Sequence, residues 1–270
     1  GSLEPARPLP LVEFKQILGR WQQDLHGRGW NALYLNNHDQ PRSVSRFGDD
    51  GTYREESAKM LAGVLFLQQG TPFVYQGEEL AMTNCPFPTM EHYRDVATVN
   101  AYRKLTAEGV DKKTALAIIQ RRSRDNARTP MQWSAQNHGG FTTGTPWIGV
   151  NPNYKEINAE QAAADPDSVY HFYRKLFALR RANEVLISGD YRPLLEEHPQ
   201  LYGYIRGLGS ERVLVLANFA GRQLSVQLPQ EILTARSRPE LLLGNYKPAS
   251  ALEQHAITLA PWEVVVYRLS

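Results

Sequence analysis

The chain has 270 residues, 42% hydrophobic and 21% charged, the proportions of a folded globular protein with room for one large domain or two moderate ones. Its formal net charge is only +2 and no basic run stands out, which argues against nucleic acid and anionic membrane as partners. One cysteine, Cys85, excludes an intramolecular disulfide and a cysteine-based zinc site.

The lone cysteine fits a reducing, cytoplasmic setting. No secretory signal is evident, Gly1-Ser2 reads as an appended pair rather than a natural start, and apolar runs such as 60–67 are too short to cross a bilayer. The 13 Tyr, 9 Phe and 5 Trp suit sugar-stacking surfaces or a well-filled core, and the core role is the expectation.

In chain order, Leu11, Phe14, Ile17, Leu18, Trp21 and Leu25 recur at helical spacing and predict an amphipathic helix over 11–25, ended by Gly27 and Gly29. Residues 30–36 read as a short strand whose polar end carries Asn37, His38 and Asp39. A turn at 48–51 leads to a second helix over about 55–69, with Met60, Leu61, Val64, Leu65 and Leu67 apolar and Gly70 closing it. Residues 72–76 read as a buried strand ending in Gly77, Glu78 and Glu79. Helix, strand, helix, strand is the rhythm of a parallel α/β sheet. Two parallel strands cannot bury themselves, so this segment reads as the tail of a longer architecture.

Residues 92–120 follow as a helical excursion and 124–158 as a polar, glycine-rich segment. Asp167 or Ser168 then caps a helix running to about 181, with Val169, Phe172, Tyr173, Leu176 and Leu179 on one side. From about 184 the texture changes. Short alternating runs at 191–195, 201–205, 213–218, 224–228, 240–243, 256–259 and 264–269, most of them separated by turn residues, predict a small antiparallel β domain.

The string Asn36-Asn37-His38-Asp39-Gln40-Pro41-Arg42 lies where a strand gives way to a loop. In a β/α barrel that is the rim where catalytic groups sit. Spacing alone leaves an active site and a hydrogen-bonded loop equally open. Glu78 and Glu79 do not make an acid pair: adjacent residues leaving a strand point to opposite faces, and they are expected to anchor the loop. Trp133 and Trp147 are expected to pack rather than stack on sugar. His92 and His138 have no metal-ligand spacing with any partner, and no metal or cofactor is expected.

NNHDQPR, then RFGDDGTYR, YQGEELAMTN, RDNARTPMQW and NPNYKEIN, in that order, resemble the oligo-1,6-glucosidase branch of the α-amylase superfamily, with the trehalose-6-phosphate hydrolases as near neighbours. The resemblance runs through essentially the whole chain. It implies an α/β fold, the C-terminal part of a (β/α)8 TIM barrel over 1–184, followed by an all-β antiparallel domain over 185–270. It implies a retaining glycoside hydrolase that releases terminal glucose from short α-glucosidic oligosaccharides or glucosides. Asp39 matches the carboxylate that stabilises the cationic transition state. His38 and Arg128 match groups that bind the glucose, and Arg42 would line the same rim. An ion pair of Arg128 with Asp125 or another surface carboxylate is the alternative to the sugar-binding role.

Retaining chemistry also needs a nucleophilic carboxylate and an acid/base carboxyl. The family carries both on earlier strands, so this chain is expected to be an inactive fragment whose partner is the missing N-terminal barrel half. Relatives usually have Glu where Ala97 stands, which bears on linkage and acceptor preference. The rival readings are a trehalose-6-phosphate hydrolase, a non-catalytic barrel relative, and a carbohydrate-binding module.

Overall fold

In the computed structural model, which describes residues 10–233, 239–253 and 255–269, helix α1 (Leu11–Leu25) has the bounds its apolar spacing predicts. The face it buries differs from the expected one. Leu11, Lys15, Gly19 and Gln22 turn inward, while Ile17 and Trp21 stay exposed. Polar docking selects that face. The Lys15 ammonium donates to the carbonyls of Leu195, His198 and Leu201 at 2.8–2.9 Å, and Gln22 exchanges two hydrogen bonds with the backbone of Gln69. Each such group left unpaired would cost about 1–3 kcal/mol, which rivals the return from burying one more apolar side chain.

Strand β1 (Ala32–Leu33) pairs in parallel with β2 (Thr71–Pro72), and both are shorter than the runs expected at 30–36 and 72–76. Thr71 and Phe73 donate to the carbonyls of Asn31 and Leu33, and among the described residues the ladder goes no further. A parallel strand with one neighbour has little to extend it. Between them lie α2 (Ser43–Phe47) and α3 (Arg54–Phe66). Every residue of α3 from Ser57 to Phe66 is buried, so this helix is enclosed all round rather than amphipathic.

The excursion expected over 92–120 is two helices, α4 (Val96–Ala107) and α5 (Lys112–Arg122), turned about Gly109 at φ +88°. Each begins at an aspartate. Asp95 accepts from the N–H of Thr98, and Asp111 from those of Lys113 and Thr114. Within the polar, glycine-rich segment are α6 (Asp125–Arg128) and a stretch of 3-10 turns, followed by α7 (Ala159–Ala164). Ser168 accepts from the N–H of His171 and starts α8 (Val169–Ala182). Residues expected to open the β-rich tail form α9 (Glu184–Ser188) instead, an apolar run too short for periodicity to separate helix from strand.

The strands of the tail follow the predicted runs: β3 (Asp190–Leu194), β4 (Leu201–Leu208), β5 (Glu211–Asn218), β6 (Leu224–Gln227), β7 (Glu240–Gly244), β8 (Ala256–Leu259) and β9 (Val264–Leu269). Five form an antiparallel sheet in the order β3-β4-β5-β9-β7, and β6 pairs with β8.

The chain divides into two compact units. One gathers the described residues up to 33, then 51–73, and those from 172 onward; the other gathers 34–50 and 74–171. In the first, Leu214, Leu216, Val265 and Tyr267 pack with Leu224, Ile257 and Leu259 of the β6–β8 pair. On the other side α3 meets the sheet: the Tyr204 hydroxyl donates to the carbonyl of Val64, and a Cβ at Gly63 would lie 3.1 Å from the Val264 methyls. Both faces of β5 are therefore covered, which is why it reads as an unbroken Val-Leu-Val-Leu-Ala run.

Two arginines finish the C-terminal end of α3. Arg180 donates to the carbonyls of Phe66, Gln68, Gly70 and Leu186, and Arg206 to those of Leu67, Leu186, Gly189 and Asp190. The last carbonyls of a helix have no partner within it, and these guanidiniums supply the donors.

The second unit has two smaller apolar clusters. Leu80, Met82, Met131 and Ile157 form one. Phe87, Tyr93, Ile119 and Ile148 enclose Cys85 in the other, and burial pushes its thiol up to about 12. Trp133 and Trp147, expected to pack, are instead 53% and 67% exposed.

Candidate active site

The polar string that follows β1 folds into a short, cross-braced loop. Asn36 and Ser43 exchange two hydrogen bonds at 2.6 and 2.9 Å, closing the loop at its base. The Asn37 side chain accepts from the N–H of Asp39 at 2.8 Å, an Asx turn that presents His38 and Asp39 at the tip. The Asp39 side chain is 44% exposed and that of His38 is 72%.

Arg42 departs from the rim position expected of it. It is fully buried, donating to the carbonyls of Gln76, Asn126 and Ala127, with its guanidinium 5.6 Å from the centre of the Tyr75 ring. Burial lowers it to about 10, so it stays charged at neutral pH. Its three carbonyls belong to the segment after β2 and to α6, and their unpaired lone pairs outbid a place at the surface. Arg42 thus ties the Asp39 loop to the short helix that carries Arg128.

On α6 the spacing of four puts Arg124, just before the helix, and Arg128, at its end, on one face. Both reach the same carboxylates. Arg128 Nη2 lies 2.7 Å from Asp39 Oδ1, its Nε donates to the carbonyl of His38 at 2.9 Å, and its Nη1 lies 3.4 Å from Asp95 Oδ1. Arg124 donates to Asp95 at 2.6 and 3.2 Å and to Asp39 Oδ1 at 3.3 Å. The ion pair named as the alternative for Arg128 is present, to Asp39 at 2.7 Å, with Asp95 at 3.4 Å and Asp125 at 3.7 Å. The nearest carboxylate to it is Asp39.

Asp39 Oδ1 is therefore occupied by both arginines, while Oδ2 lies 3.5 Å from His38 Nε2. A carboxylate held on one oxygen keeps the other for hydroxyl groups of a ligand. His38 and the two arginines add donors around it. The set can bind vicinal hydroxyls and carry a fixed negative charge beside a developing cation. The family resemblance singled out His38, Asp39 and Arg128, and the structure brings those three together.

Arg124 and Asp95 were not singled out from the sequence. The signals were there: Arg124 precedes Arg128 by one helical turn, and Asp95 stands three residues before Thr98 as a helix-starting aspartate does. Asp95 is 5% exposed. Burial pushes its carboxyl upward, but hydrogen bonds from Arg124 and Thr98 outweigh that and hold it well below the usual carboxylate range. A depressed pKa stabilises the fold above the unfolded value of about 4, and the benefit is lost as pH falls toward the folded value. In urea titrations the stability gap between the native chain and Asp95→Asn is thus expected to be constant above about pH 5 and to shrink below about pH 4. A gap that widens on acidification would contradict this sign.

Glu78 and Glu79 open a 3-10 turn, and Glu78 accepts from the N–H of Tyr75, the anchoring role expected of the pair. Among the described residues no three His, Cys, Asp or Glu side chains are grouped to hold a metal ion, and no helix is long and apolar enough to cross a membrane.

The family model for the alpha amylase catalytic domain matches residues 3–189, and that for the alpha-amylase SusG C-terminal domain matches 201–266. An oligo-1,6-glucosidase of Parageobacillus thermoglucosidasius is 50% identical over 264 residues, covering 97% of this chain and 47% of the relative. A trehalose-6-phosphate hydrolase of Bacillus subtilis (strain 168) is 46% identical over 264 residues, with 97% and 47% covered. The crystal structure of a Bacillus licheniformis trehalose-6-phosphate hydrolase superposes with a TM-score of 0.92 at 45% identity, covering 96% of this chain and 47% of that one. The chain spans about half the length of the curated relatives it matches.

Proposed function

The chain belongs to the α-amylase family, and from that membership we propose that it is the C-terminal portion of a retaining α-glucosidase that releases terminal glucose from short α-glucosidic oligosaccharides. The observation that carries the reading is the Asp39 carboxylate, presented on an Asx turn with one oxygen pinned by Arg128 and Arg124 and the other beside His38. Retaining cleavage passes through an oxocarbenium-like transition state, and a fixed carboxylate beside it lowers the barrier. Asp39 takes that part. His38 and Arg128 hold the glucose hydroxyls, and Arg42 acts from beneath by fixing the loop to α6.

In this reading 1–184 is barrel and 185–270 the accessory β domain. The nucleophile and the acid/base carboxyl come from the remainder of the protein, which is also this chain's partner. The lone, buried Cys85 is consistent with a cytoplasmic enzyme.

The test is an assay with p-nitrophenyl α-glucoside, isomaltose and trehalose 6-phosphate. The 270-residue chain alone is expected to turn over none of them, and the complete enzyme to cleave the first two. Preferential cleavage of trehalose 6-phosphate would move the reading to the neighbouring branch. Activity of the chain alone that Asp39→Ala abolishes would refute the division of catalytic groups.

A further inference from the structure

Asp95 has no counterpart in the reading above, yet it is the most heavily bonded carboxylate near Asp39. Its Oδ2 accepts from the N–H and hydroxyl of Thr98 at 2.9 and 2.7 Å and from Arg124 Nε at 3.2 Å. Its Oδ1 accepts from Arg124 Nη2 at 2.6 Å and lies 3.4 Å from Arg128 Nη1. The backbone that carries it is itself held: Asp125 Oδ2 accepts from the N–H groups of Arg94 and Asp95 at 2.7 and 2.9 Å, and the Asp125 side chain is fully buried.

This is a relay of supports. Asp125 fixes the backbone at 94–95, Asp95 fixes two guanidiniums, and the guanidiniums fix Asp39. Each arginine bridges a buried carboxylate and an exposed one, with side-chain exposures of 3% for Asp95 and 44% for Asp39. An arginine spanning only exposed partners would be a loosely held surface pair, worth little as a positioning device. Anchored on Asp95, its planar fork has a defined direction.

We propose that Asp95 is a positioning residue for the glucosidase reaction, acting through Arg124 and Arg128 to set where the Asp39 carboxylate stands relative to the sugar. The proposal rests on the α-glucosidase reading. Arg124 is the chief link to Asp95, because its two hydrogen bonds to that carboxylate, at 2.6 and 3.2 Å, are shorter than the 3.4 Å contact of Arg128.

Asp95→Asn is a selective probe. The amide oxygen can stand at Oδ2 and keep capping Thr98, while the amide nitrogen replaces Oδ1 and meets Arg124 Nη2 and Arg128 Nη1 donor to donor. In the complete enzyme, Asp95→Asn is expected to lower kcat on p-nitrophenyl α-glucoside about tenfold with KM little changed. In an Arg124→Ala background the same change is expected to cost only about twofold, since its main link is already gone. A tenfold loss in both backgrounds would mean that Asp95 acts independently of Arg124, and no loss in the native background would mean that it positions nothing; either overturns the proposal.

Should Asp95→Asn fail to fold, Arg124→Lys carries the test. A lysine cannot bridge both carboxylates in a fixed plane, so kcat should fall several-fold, and an unchanged kcat would overturn the proposal. Asp39→Asn, run alongside, tests the underlying reading separately. Full activity there sinks the role of Asp39, whatever the cycle between Asp95 and Arg124 returns.

Discussion

Asparagine in place of Asp39 is expected to lower kcat of the complete enzyme about a thousandfold on p-nitrophenyl α-glucoside, while KM changes little. The substitution preserves shape and the ability to accept hydrogen bonds, and removes the charge. If the carboxylate matters chiefly in the transition state, the loss falls on kcat rather than on ground-state binding. A thousandfold is about 4 kcal/mol, the upper end of what one pre-placed electrostatic group contributes in such sites. The surroundings argue for a value near that end. Two guanidiniums already fix Asp39 Oδ1, so the asparagine cannot regain by motion what it loses in charge. A loss below about tenfold would show that the charge is incidental.

The largest stability effect is expected at Arg206. Replacing it with methionine keeps most of the apolar stem and removes the donors to Leu67, Leu186, Gly189 and Asp190. Two effects oppose one another. Burying a guanidinium is itself costly, and burial lowers Arg206 to about 10, so its removal returns something. Against that, four carbonyls lose a donor, each at about 1–3 kcal/mol. Some of them keep another partner, as Leu186 does in Arg180. The net expectation is a loss of about 3–5 kcal/mol in urea unfolding of the chain. A change under about 1 kcal/mol would mean that the carbonyls find other donors and that the arginine is dispensable.

Much of the fold was legible because burial left a periodic trace. The strands of the tail were readable at 213–218 and 264–269 because β5 and β9 are buried on both faces, which makes their sequences continuous apolar runs. The bounds of α1 were readable, but not its orientation. Its inward face is set by Lys15 and Gln22, and the carbonyls they serve lie far away in sequence. No periodicity can announce such a partner.

The same limit applies to the site. Asp39, His38 and Arg128 sit in recognisable strings. Arg42 belongs to one of those strings too, yet its donors turn into the protein, because Gln76, Asn126 and Ala127 present carbonyls that only the folded chain brings near. Arg124 was hidden because the polar, glycine-rich composition of 124–158 gives no sign of the one turn of helix that aligns it with Arg128. Trp133 and Trp147 show the converse, exposed where packing is expected, since composition cannot tell which aromatics a fold leaves uncovered.

The seclusion of Cys85 makes the chain its own clock. A thiol reagent at neutral pH finds no target in the closed protein, and reacts only when the shell of Phe87, Tyr93 and Ile119 parts. The rate of labelling therefore counts openings of that neighbourhood without any change to the sequence. For the same reason a cysteine introduced at the surface would take up a spectroscopic tag well before the native thiol does.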